Sequence, residues 1–471
     1  MIVYILPEVL TFCIALFFLI AAIKKVNMET MHKLGMLFSF INIIVVLIGM
    51  GLNGTFFYGT YKIDFFSQSI KLILAIGLFF IIFMADKRIE DVVKSNYSEF
   101  LFFLYSANLG MMMLASAVEF ITLFLALELS SYTMFILVGF LKNRKISAEA
   151  AIKYLFIGVV ASAITLYGYS IIFSYYGDTS LTSMRTGTIF MSKDVILHIG
   201  FMFFLTAFFF KLAILPFSFW APDVYQGAST NVTAYIATVS KVAGVAVLLR
   251  IFVYFFPVFI EQEEILILIA IITMTYGNLV AVQQKDLKRL LAYSSIAQAG
   301  YMLVGMIMFN KSGMASTLFY VTSYLVMNFT VFLVIDQVEK EKKTTDITAL
   351  KGLSQRAPLL SLALLLALLS LGGVPPFVGF TGKWFIFSSA ISKGYLTLVL
   401  IAFLNSVISV YYYLLVARQA YLFLPDESDK MKVTVPVKIY SYFAIVFIIA
   451  MGFYPAPLLN WAEKAVKFLV G

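Results

Sequence analysis

The stretch Lys211-Leu-Ala-Ile-Leu-Pro-Phe-Ser-Phe-Trp-Ala-Pro-Asp-Val-Tyr-Gln-Gly-Ala-Ser229 places a lysine inside an apolar helix, just before two prolines. A charged side chain in the hydrocarbon core of a membrane costs roughly 2.5–3.5 kcal/mol, so it usually faces a hydrated or paired interior. A proline in a membrane helix frees backbone groups that neighbouring groups must satisfy. Together these features predict a functional site at a broken helix, and the alternative is a lysine whose ammonium simply reaches the membrane interface.

The composition of the whole chain is that of a membrane protein. Of its 471 residues, 62% are hydrophobic and 13% are charged, against about 25% charged residues in a soluble domain. The mean hydropathy is +0.96. The formal net charge of +9 comes from basic residues scattered over many loops, which indicates topology signals and no nucleic-acid partner. We therefore predict an all-α polytopic protein embedded in the lipid bilayer.

Apolar segments of spanning length, about 20 residues each, recur along the chain. The first is a full span without a basic leader, so we expect a helix and not a removed signal. Numbered here as segments 1 to 14, they predict about fourteen transmembrane helices near residues 2–23, 34–53, 65–85, 99–117, 119–140, 148–175, 195–219, 230–256, 264–282, 290–309, 314–336, 357–391, 395–417 and 436–455.

The loops between these segments alternate in charge. One set of loops carries 21 Lys and Arg residues and the opposite set carries seven. Since loops rich in Lys and Arg stay in the cytoplasm, both termini are expected to lie on the outer side.

A second interruption lies in segment 12, in Leu371-Gly-Gly-Val-Pro-Pro-Phe-Val-Gly-Phe-Thr-Gly-Lys-Trp384. If segments 4–8 and 9–13 form two units, the break falls in the fourth helix of each, and because five is odd the units must be inverted repeats. Such paired breaks are typical of a mid-membrane site in transporter-like folds. The predicted regions are 1–98 (segments 1–3), 99–256 and 257–420 (the two five-helix repeats), and 421–471 (segment 14 and a tail).

Several ionisable residues fall inside the predicted spans. Glu128 lies near the middle of segment 5, Lys241 near the centre of segment 8, Lys383 just after the break in segment 12, and Lys153 nearer the end of segment 6. With Lys211 they suggest a row of protonatable groups at mid-depth, although static ion pairs are the alternative. Because a Na⁺ or Ca²⁺ cage needs oxygen ligands and lysine only donates, protons are the better cargo.

Other polar residues in the spans favour plainer interpretations. Lys71, Glu119 and Arg250 are expected near helix ends, where long side chains reach the interface at little cost. In segment 10 the residues Ser294, Gln298 and Tyr301 recur at helical spacing and form one polar stripe. Such a stripe either bonds neighbouring helices or holds waters between the lysines.

Residues that would build a redox or metal site are scarce. Cys13 is the only cysteine, and the two histidines, His32 and His198, lie far apart in the sequence. No Gly-rich nucleotide loop follows a strand pattern. We therefore predict neither a metal nor a bound cofactor in this chain.

Three motifs carry a resemblance to a known family. They are the stretch Lys211–Ala228, the stretch Lys288-Arg-Leu-Leu-Ala-Tyr-Ser-Ser-Ile-Ala-Gln-Ala-Gly-Tyr301, and the stretch Gly373-Val-Pro-Pro-Phe-Val-Gly-Phe-Thr-Gly-Lys383. Over nearly its whole length the chain resembles the antiporter-like membrane subunits of respiratory complex I, which are related to Mrp-type Na⁺/H⁺ antiporter subunits. The form Pro222-Asp-Val-Tyr-Gln-Gly227 is similar to the N type of these subunits rather than to the L or M type.

The resemblance implies a fold of fourteen helices with two inverted five-helix repeats and broken helices 7 and 12. It also implies roles for residues. Glu128 matches the glutamate that pairs with the helix-7 lysine, here Lys211, and Lys153 matches the lysine that modulates this pair. Lys241 matches the central lysine of helix 8, and Lys383 matches the lysine of helix 12.

One position departs from the family pattern. Relatives often have a histidine where this chain has Ser218. Any proton relay through this position is therefore expected to use a hydroxyl group and water.

The function implied by the resemblance is that of a non-redox, proton-translocating subunit of NADH:quinone oxidoreductase in a bacterial inner membrane, with periplasmic termini. NADH, FMN, Fe–S clusters and quinone would bind in partner subunits, and the direct partners would be the M-type and small membrane subunits. Protons would load from the cytoplasm and leave near Lys383. The alternatives are a subunit of a multi-subunit Na⁺/H⁺ antiporter or membrane-bound hydrogenase, or a structural membrane scaffold.

Overall fold

Helices dominate the structure. A computed structural model describes residues 3–85, 91–182, 194–255, 262–425 and 430–470. Within these ranges, 13 helices are long and apolar enough to cross a membrane. The prediction of an all-α polytopic membrane protein is therefore confirmed.

The chain divides into two compact units. Unit 1 comprises Met1–Ile265 and Lys464–Gly471, and unit 2 comprises Leu266–Glu463. The described helices of unit 1 are α1 (Leu6–Ile23), α2 (Met28–Ile48), α3 (Phe65–Met84), α4 (Asp91–Ser95), α5 (Tyr97–Ser116), α6 (Phe120–Val138), α7 (Lys145–Tyr176), α8 (Val195–Phe204), α9 (Thr206–Leu212), α10 (Ala221–Gly227), α11 (Thr230–Ala237) and α12 (Val239–Tyr254).

Unit 1 also contains a small hairpin that the sequence did not predict. Strands β1 (Gly54–Phe56) and β2 (Tyr61–Ile63) pair antiparallel between α2 and α3. Tyr61 forms a further bridge with Ala117, directly after α5. The hairpin thus ties the connection before α3 to the end of α5.

Side-chain caps fix where two helices of unit 1 begin. Asp64 accepts a hydrogen bond from the Ser67 backbone N–H at 2.7 Å, and Ser67 Oγ accepts one from the Asp64 backbone N–H at 3.0 Å. This reciprocal capping box satisfies two donors that the first turn of α3 leaves free. Glu119 caps α6 in a similar way by accepting from the backbone N–H groups of Ile121 and Thr122.

Burial separates the centre of unit 1 from its surface. In the span Thr230–Tyr254, formed by α11 and α12, every residue of the most apolar 18-residue stretch is buried. In α7 only 28% of the corresponding stretch is buried. Exposed apolar residues on α7, such as Phe156 and Tyr167, suit contact with lipid. The helix α12, which carries Lys241, therefore lies in the core of unit 1.

The predicted break in segment 7 is present in unit 1. Helix α9 ends at Leu212, and Ala213 adopts a left-handed conformation with φ of 58°. The chain then turns and becomes helical again at Ala221. Trp220 Nε1 donates a hydrogen bond of 3.1 Å to the carbonyl oxygen of Phe210. The same carbonyl also accepts from the Ala213 backbone N–H at 3.0 Å, so one side chain of the motif is tied to the end of α9.

Unit 2 contains most of the remaining helices. In the described ranges these are α13 (Glu263–Ala281, whose first residues belong to unit 1), α14 (Leu287–Ile307), α15 (Lys311–Lys342), α16 (Leu353–Arg356), α17 (Pro358–Gly372), α18 (Val378–Ser392), α19 (Leu396–Leu422), α20 (Val435–Phe453) and α21 (Ala456–Val470, whose last residues, from Lys464 on, belong to unit 1).

The predicted break in segment 12 is present in unit 2. Helices α17 and α18 contain 15 residues each. Helix α17 ends at Gly372, and the next residue, Gly373, has a φ of 83°. This left-handed conformation favours glycine at the end of a helix. Ser370 Oγ accepts a hydrogen bond of 2.9 Å from the Gly379 backbone N–H. The side chain of one half-helix thus caps the start of the other.

The last helix differs from the predicted tail. Helix α21 buries Ala462, Ala465, Val466 and Leu469, and Lys464 Nζ lies 4.5 Å from the ring centroid of Phe65. The apolar residues of α21 lie on one face of the helix and form no continuous apolar segment, so hydropathy along the sequence did not predict this helix. The number fourteen, the inverted repeats and the four predicted regions remain predictions.

Candidate functional site

Helices α6 and α9 bring Glu128 and Lys211 into the interior of unit 1, where they are 8% and 5% exposed. Lys211 Nζ donates a hydrogen bond of 2.8 Å to Ser130 Oγ. Ser162 Oγ, on α7, donates one of 2.5 Å to Glu128 Oε1. Lys211 therefore contacts the helix that carries its predicted acid partner, but each charged group bonds to a hydroxyl group in this state.

The break in segment 7 creates a favourable place for a cation. Lys211 lies in the last turn of α9, where the carbonyl ends of the helix carry a partial negative charge. A lysine in an unbroken helix at the same depth would lack this stabilisation. The broken helix thus gives a physical reason why a charged residue can occupy the interior.

Lys241 lies close to the same region of unit 1. It is the third residue of α12 and is 1% exposed. An ideal Cβ at Gly244, one turn further on, would lie 3.8 Å from Lys211 Cγ. Helix α12 therefore packs against the stem of Lys211, and the structure brings these two predicted site residues to adjoining helices.

Lys153 lies in a more exposed position on α7. Its side chain is 43% exposed, and Nζ contacts Asp223 Oδ2 at 2.6 Å and Glu149 Oε1 at 2.7 Å. Asp223 belongs to the first turn of α10. The contact of Asp223 with Lys153 was not predicted from the sequence, although Asp223 directly follows Pro222 in the opening motif. The charge of Asp223 was the available signal.

Lys383, in unit 2, bonds directly to the end of the helix that is interrupted in segment 12. Its Nζ donates to the carbonyl oxygens of Leu371 at 2.9 Å and Gly372 at 3.2 Å, and to Ser406 Oγ at 3.0 Å. It also lies 4.5 Å from the ring centroid of Tyr301. The residue is 2% exposed. The ammonium thus satisfies carbonyl groups that the end of α17 leaves free.

The polar stripe of segment 10 connects helices of unit 2. Gln298 Nε2 donates to the Leu371 carbonyl oxygen at 3.1 Å and to the Tyr413 hydroxyl at 3.4 Å, while the Tyr320 hydroxyl donates to Gln298 Oε1. Ser294 also bonds to the hydroxyl of Tyr413. These contacts favour the interpretation that the stripe bonds neighbouring helices.

Ser218, where relatives often have histidine, is fully buried. In the described part of the chain its hydroxyl oxygen has no hydrogen-bond partner. A buried hydroxyl without a partner costs roughly 1–3 kcal/mol. A relay through the Ser218 hydroxyl and water, in place of an imidazole, stays a prediction.

The expectation that Lys71 and Arg250 reach the membrane interface is wrong. Lys71 is 0% exposed and its Nζ lies 2.5 Å from Glu8 Oε1. Arg250 is 1% exposed and donates to both carboxylate oxygens of Asp64 at 3.2 Å. Acid partners from distant parts of the chain keep both cations inside the protein, and sequence position alone did not reveal them.

The described residues offer no conventional metal site. No group of three or more His, Cys, Asp or Glu side chains in these ranges could hold a metal ion. What the arrangement offers chemically is a set of buried amines and one buried carboxylate, and oxygen groups bond to Lys211, Lys383 and Glu128. Such groups can bind and release protons.

Comparisons with known proteins identify the relatives of this chain. Residues 117–409 match the family described as NADH:quinone oxidoreductase/Mrp antiporter, TM. NADH-quinone oxidoreductase subunit N 2 of Syntrophobacter fumaroxidans is 40% identical, over 98% of this chain and 98% of that protein. NADH-quinone oxidoreductase subunit N of Moorella thermoacetica is 37% identical, over 88% of this chain and 87% of that protein.

A solved structure has the same fold over nearly the whole chain. A chain of respiratory complex I from Thermus thermophilus with bound Aureothin superposes with a TM-score of 0.84 and 29% identity, covering 97% of this chain and 99% of that chain. The fold and the site define a polytopic membrane protein whose broken helices carry buried lysines, as in ion-translocating proteins. The chain belongs to the NADH:quinone oxidoreductase/Mrp antiporter membrane family.

Proposed function

We propose that this chain is the N-type, proton-translocating membrane subunit of an NADH:quinone oxidoreductase of the complex I class. It holds no redox centre itself, and NADH, FMN, Fe–S clusters and quinone bind to partner subunits. Its direct partners are the M-type and small membrane subunits. It lies in a bacterial inner membrane with both termini on the periplasmic side.

One observation carries the proposal: each unit contains a buried lysine at a broken helix, and its ammonium bonds to neutral oxygen acceptors. Lys211 bonds to Ser130, and Lys383 bonds to two backbone carbonyls and Ser406. A buried charge needs such partners. Neutral acceptors, unlike a carboxylate, remain uncharged when the lysine loses its proton, so protonation and deprotonation are both accessible.

The proposed cycle in unit 1 uses two positions of the Lys211 ammonium. In one it bonds to Ser130, and in the other it pairs with Glu128, which here accepts from Ser162. A charge change in a neighbouring subunit favours one position over the other. When the pair opens, Lys211 transfers its proton toward Lys241, whose helix packs against its stem.

Lys153 and Lys383 complete the proposed set of functional residues. Lys153 contacts Asp223 and Glu149 near the end of unit 1 that we assign to the cytoplasm, where it modulates the charge felt by the Glu128–Lys211 pair. Lys383 holds a proton in unit 2. We further propose that the chain contains two inverted five-helix repeats, residues 99–256 and 257–420.

The assignment to complex I is tested by purifying the chain, tagged at a terminus, from its native membranes. We expect it to co-purify with flavin and Fe–S subunits and with NADH:quinone oxidoreductase activity. When NADH and quinone are added to liposomes that contain the purified complex, we expect the pH to fall on one side of the liposome membrane.

Other results identify the alternative functions. Co-purification with antiporter subunits alone, and Na⁺-dependent proton exchange without electron transfer, would contradict the proposal. Co-purification with a hydrogenase would also contradict the proposal. A scaffold predicts that replacing buried charges abolishes assembly and pumping in step, whereas we expect Glu128→Gln to assemble and not pump.

A further inference from the structure

A second cluster of ionisable side chains lies at the end of unit 1 opposite Lys153. Tyr61 bridges to Ala117 after α5, and Glu119 before α6 bridges to Ser180 after α7. The hairpin, the start of α6 and the far end of α7 therefore lie together. Lys153 lies 23 residues before the last residue of α7, a distance of about 35 Å along a helix that rises 1.5 Å per residue.

Glu8, in the first turn of α1, is the centre of this cluster. The Tyr61 hydroxyl donates a hydrogen bond of 2.5 Å to Glu8 Oε1, and Lys71 Nζ lies 2.5 Å from the same oxygen. Glu8 is 7% exposed. Its other oxygen, Oε2, is buried and has no hydrogen-bond partner in the described part of the chain. One oxygen of this carboxyl group therefore has two partners, and the other has none among the described residues.

A neighbouring ion pair in the cluster has a fixed charge. Arg250 bonds to both oxygens of Asp64 and donates to the Ala115 carbonyl oxygen at 3.1 Å. Burial alone would raise the pKa of Asp64, but the Arg250 guanidinium and the Ser67 backbone N–H outweigh it and hold the pKa below its ordinary value. These contacts thus favour the ionised form of Asp64.

The phenol beside Glu8 also keeps its proton. Burial, together with the Glu8 carboxylate, holds the pKa of Tyr61 well above its ordinary value. Tyr61 from β2 and Lys71 from α3 are the titratable groups that face Glu8, with Asp64 and Arg250 behind them. The helices packed along α1 add neutral groups around Thr11, one turn further in: Asn42 from α2 and Met112 from α5. Unlike Asp64, Glu8 has no guanidinium group bonded to both of its carboxylate oxygens.

Helix α3 leads from this cluster to the level of Lys241. An ideal Cβ at Gly77 of α3 would lie 2.5 Å from Val239 Cγ2, two residues before Lys241, so the backbones approach closely there. Gly77 follows Lys71 by six residues, about 9 Å along the helix axis. Between Asp64 and Lys71, Gln68 is fully buried and both its amide oxygen and nitrogen lack partners in the described ranges. Such polar atoms can hold water.

We propose that Glu8 exchanges protons with the aqueous phase at this end of unit 1 and is a proton-release site of unit 1, separate from the exit expected near Lys383 in unit 2. This inference rests on the proposed function, which makes this end the periplasmic one. A proton from the interior forms an O–H bond with Glu8 Oε2 and leaves to water when that bond breaks. The step is a proton transfer without a change of oxidation state, so no oxidant or reductant takes part.

The first test is Glu8→Gln in the assembled complex, which keeps the size and hydrogen-bonding shape but removes the proton-binding carboxyl. We expect assembly and electron transfer to remain, with fewer protons translocated per electron, and Glu8→Asp to restore part of the loss. Asp178→Asn is the matched control, because Asp178 is an exposed carboxylate at the same end of unit 1 and is not part of the cluster.

The outcomes separate this inference from the proposed function. If Glu8→Gln translocates as many protons per electron as Asp178→Asn, while Lys211→Met and Lys383→Met do not, release occurs elsewhere and the inference is overturned. If Lys211→Met also pumps normally, the proposed function itself fails.

A second measurement needs no variant and decides the question if Glu8→Gln does not assemble. Dicyclohexylcarbodiimide adds the O–H of a protonated carboxyl group across its C=N bond, so it marks buried carboxyls that take up protons. We expect mass spectrometry of the native complex to find this adduct on Glu8, decreasing as pH rises, and not on Asp64. An unmodified Glu8 over the whole pH range would overturn the proposal.

Discussion

At the residue scale, the buried cations of this chain fall into two groups. Lys71 and Arg250 contact carboxylates, whereas Lys211 and Lys383 bond to hydroxyl and carbonyl oxygens. Neutralising a cation in a buried ion pair leaves an uncompensated charge, which costs several kcal/mol. A cation held by neutral acceptors carries no such penalty. The second group is therefore suited to transport, whereas the Arg250–Asp64 pair is suited to holding helices in place and fixing a local charge.

We expect Ser130→Ala to slow proton translocation by about tenfold. It removes the acceptor of a buried ammonium, a hydrogen bond to a charged group that contributes about 1.5–3 kcal/mol. The measurement is the rate of NADH-driven acidification in proteoliposomes. Ser170→Ala is the control, since Ser170 Oγ bonds to the Tyr167 carbonyl oxygen on the exposed side of α7. Equal rates for the two variants would show that the Ser130 contact does not matter.

Asp223→Asn is expected to lower proton translocation without loss of assembly. The Lys153–Asp223 pair is partly exposed, and such pairs contribute only about 0–1 kcal/mol to stability, so the effect would come from the charge near Lys153. Glu149→Gln provides the comparison, because Glu149 contacts the same lysine but is 63% exposed against 32% for Asp223. A larger loss of translocation in Glu149→Gln than in Asp223→Asn would contradict the role given to Asp223.

At the scale of elements, each helix break supplies acceptors for a lysine. In unit 2 the break lets Lys383, on α18, reach the carbonyl end of α17. Close backbone contact keeps the two half-helices in register, since an ideal Cβ at Gly379 would lie 1.9 Å from the Ser370 carbonyl oxygen. This spacing is far below van der Waals contact, so only glycine fits there.

Gly379→Ala is therefore expected to prevent accumulation of the assembled complex. The added methyl group separates α17 from α18 and removes the acceptors of Lys383. Gly51→Ala serves as the control, because nothing lies within 4 Å of an ideal Cβ at Gly51. Native gel electrophoresis of solubilised membranes measures both variants, and normal levels of Gly379→Ala complex would refute the packing argument.

The sequence predicted those elements whose signal is local. Long apolar segments and clustered Gly and Pro residues identified the spans and both breaks, because hydropathy and backbone chemistry act over a few turns. Ser130, Ser162 and Asp223 were missed as partners, although Asp223 stands inside the opening motif. Their role depends on which helices meet, and so does the burial of Lys71 by Glu8, 63 positions away in the sequence. Packing between distant segments decides these contacts.

At the scale of the whole molecule, two units each contain an interrupted helix and a buried lysine. Unit 1 combines Glu128, Lys153, Lys211 and Lys241, and unit 2 contributes Lys383. The described residues offer no group of His, Cys, Asp and Glu side chains that could hold a metal ion. Membership of the NADH:quinone oxidoreductase/Mrp antiporter family and these buried lysines indicate proton translocation inside a larger complex.

The central claim is that Lys211 carries protons and does not merely hold the fold together. Its most direct test is the number of protons translocated per electron by assembled complex carrying Lys211→Met, with Lys142→Met as the control for an exposed lysine. A positioned proton-transfer group typically contributes about 10²–10⁴-fold in rate, so translocation through this chain should essentially stop while Lys142→Met stays normal. An unchanged ratio in fully assembled Lys211→Met complex would contradict the account.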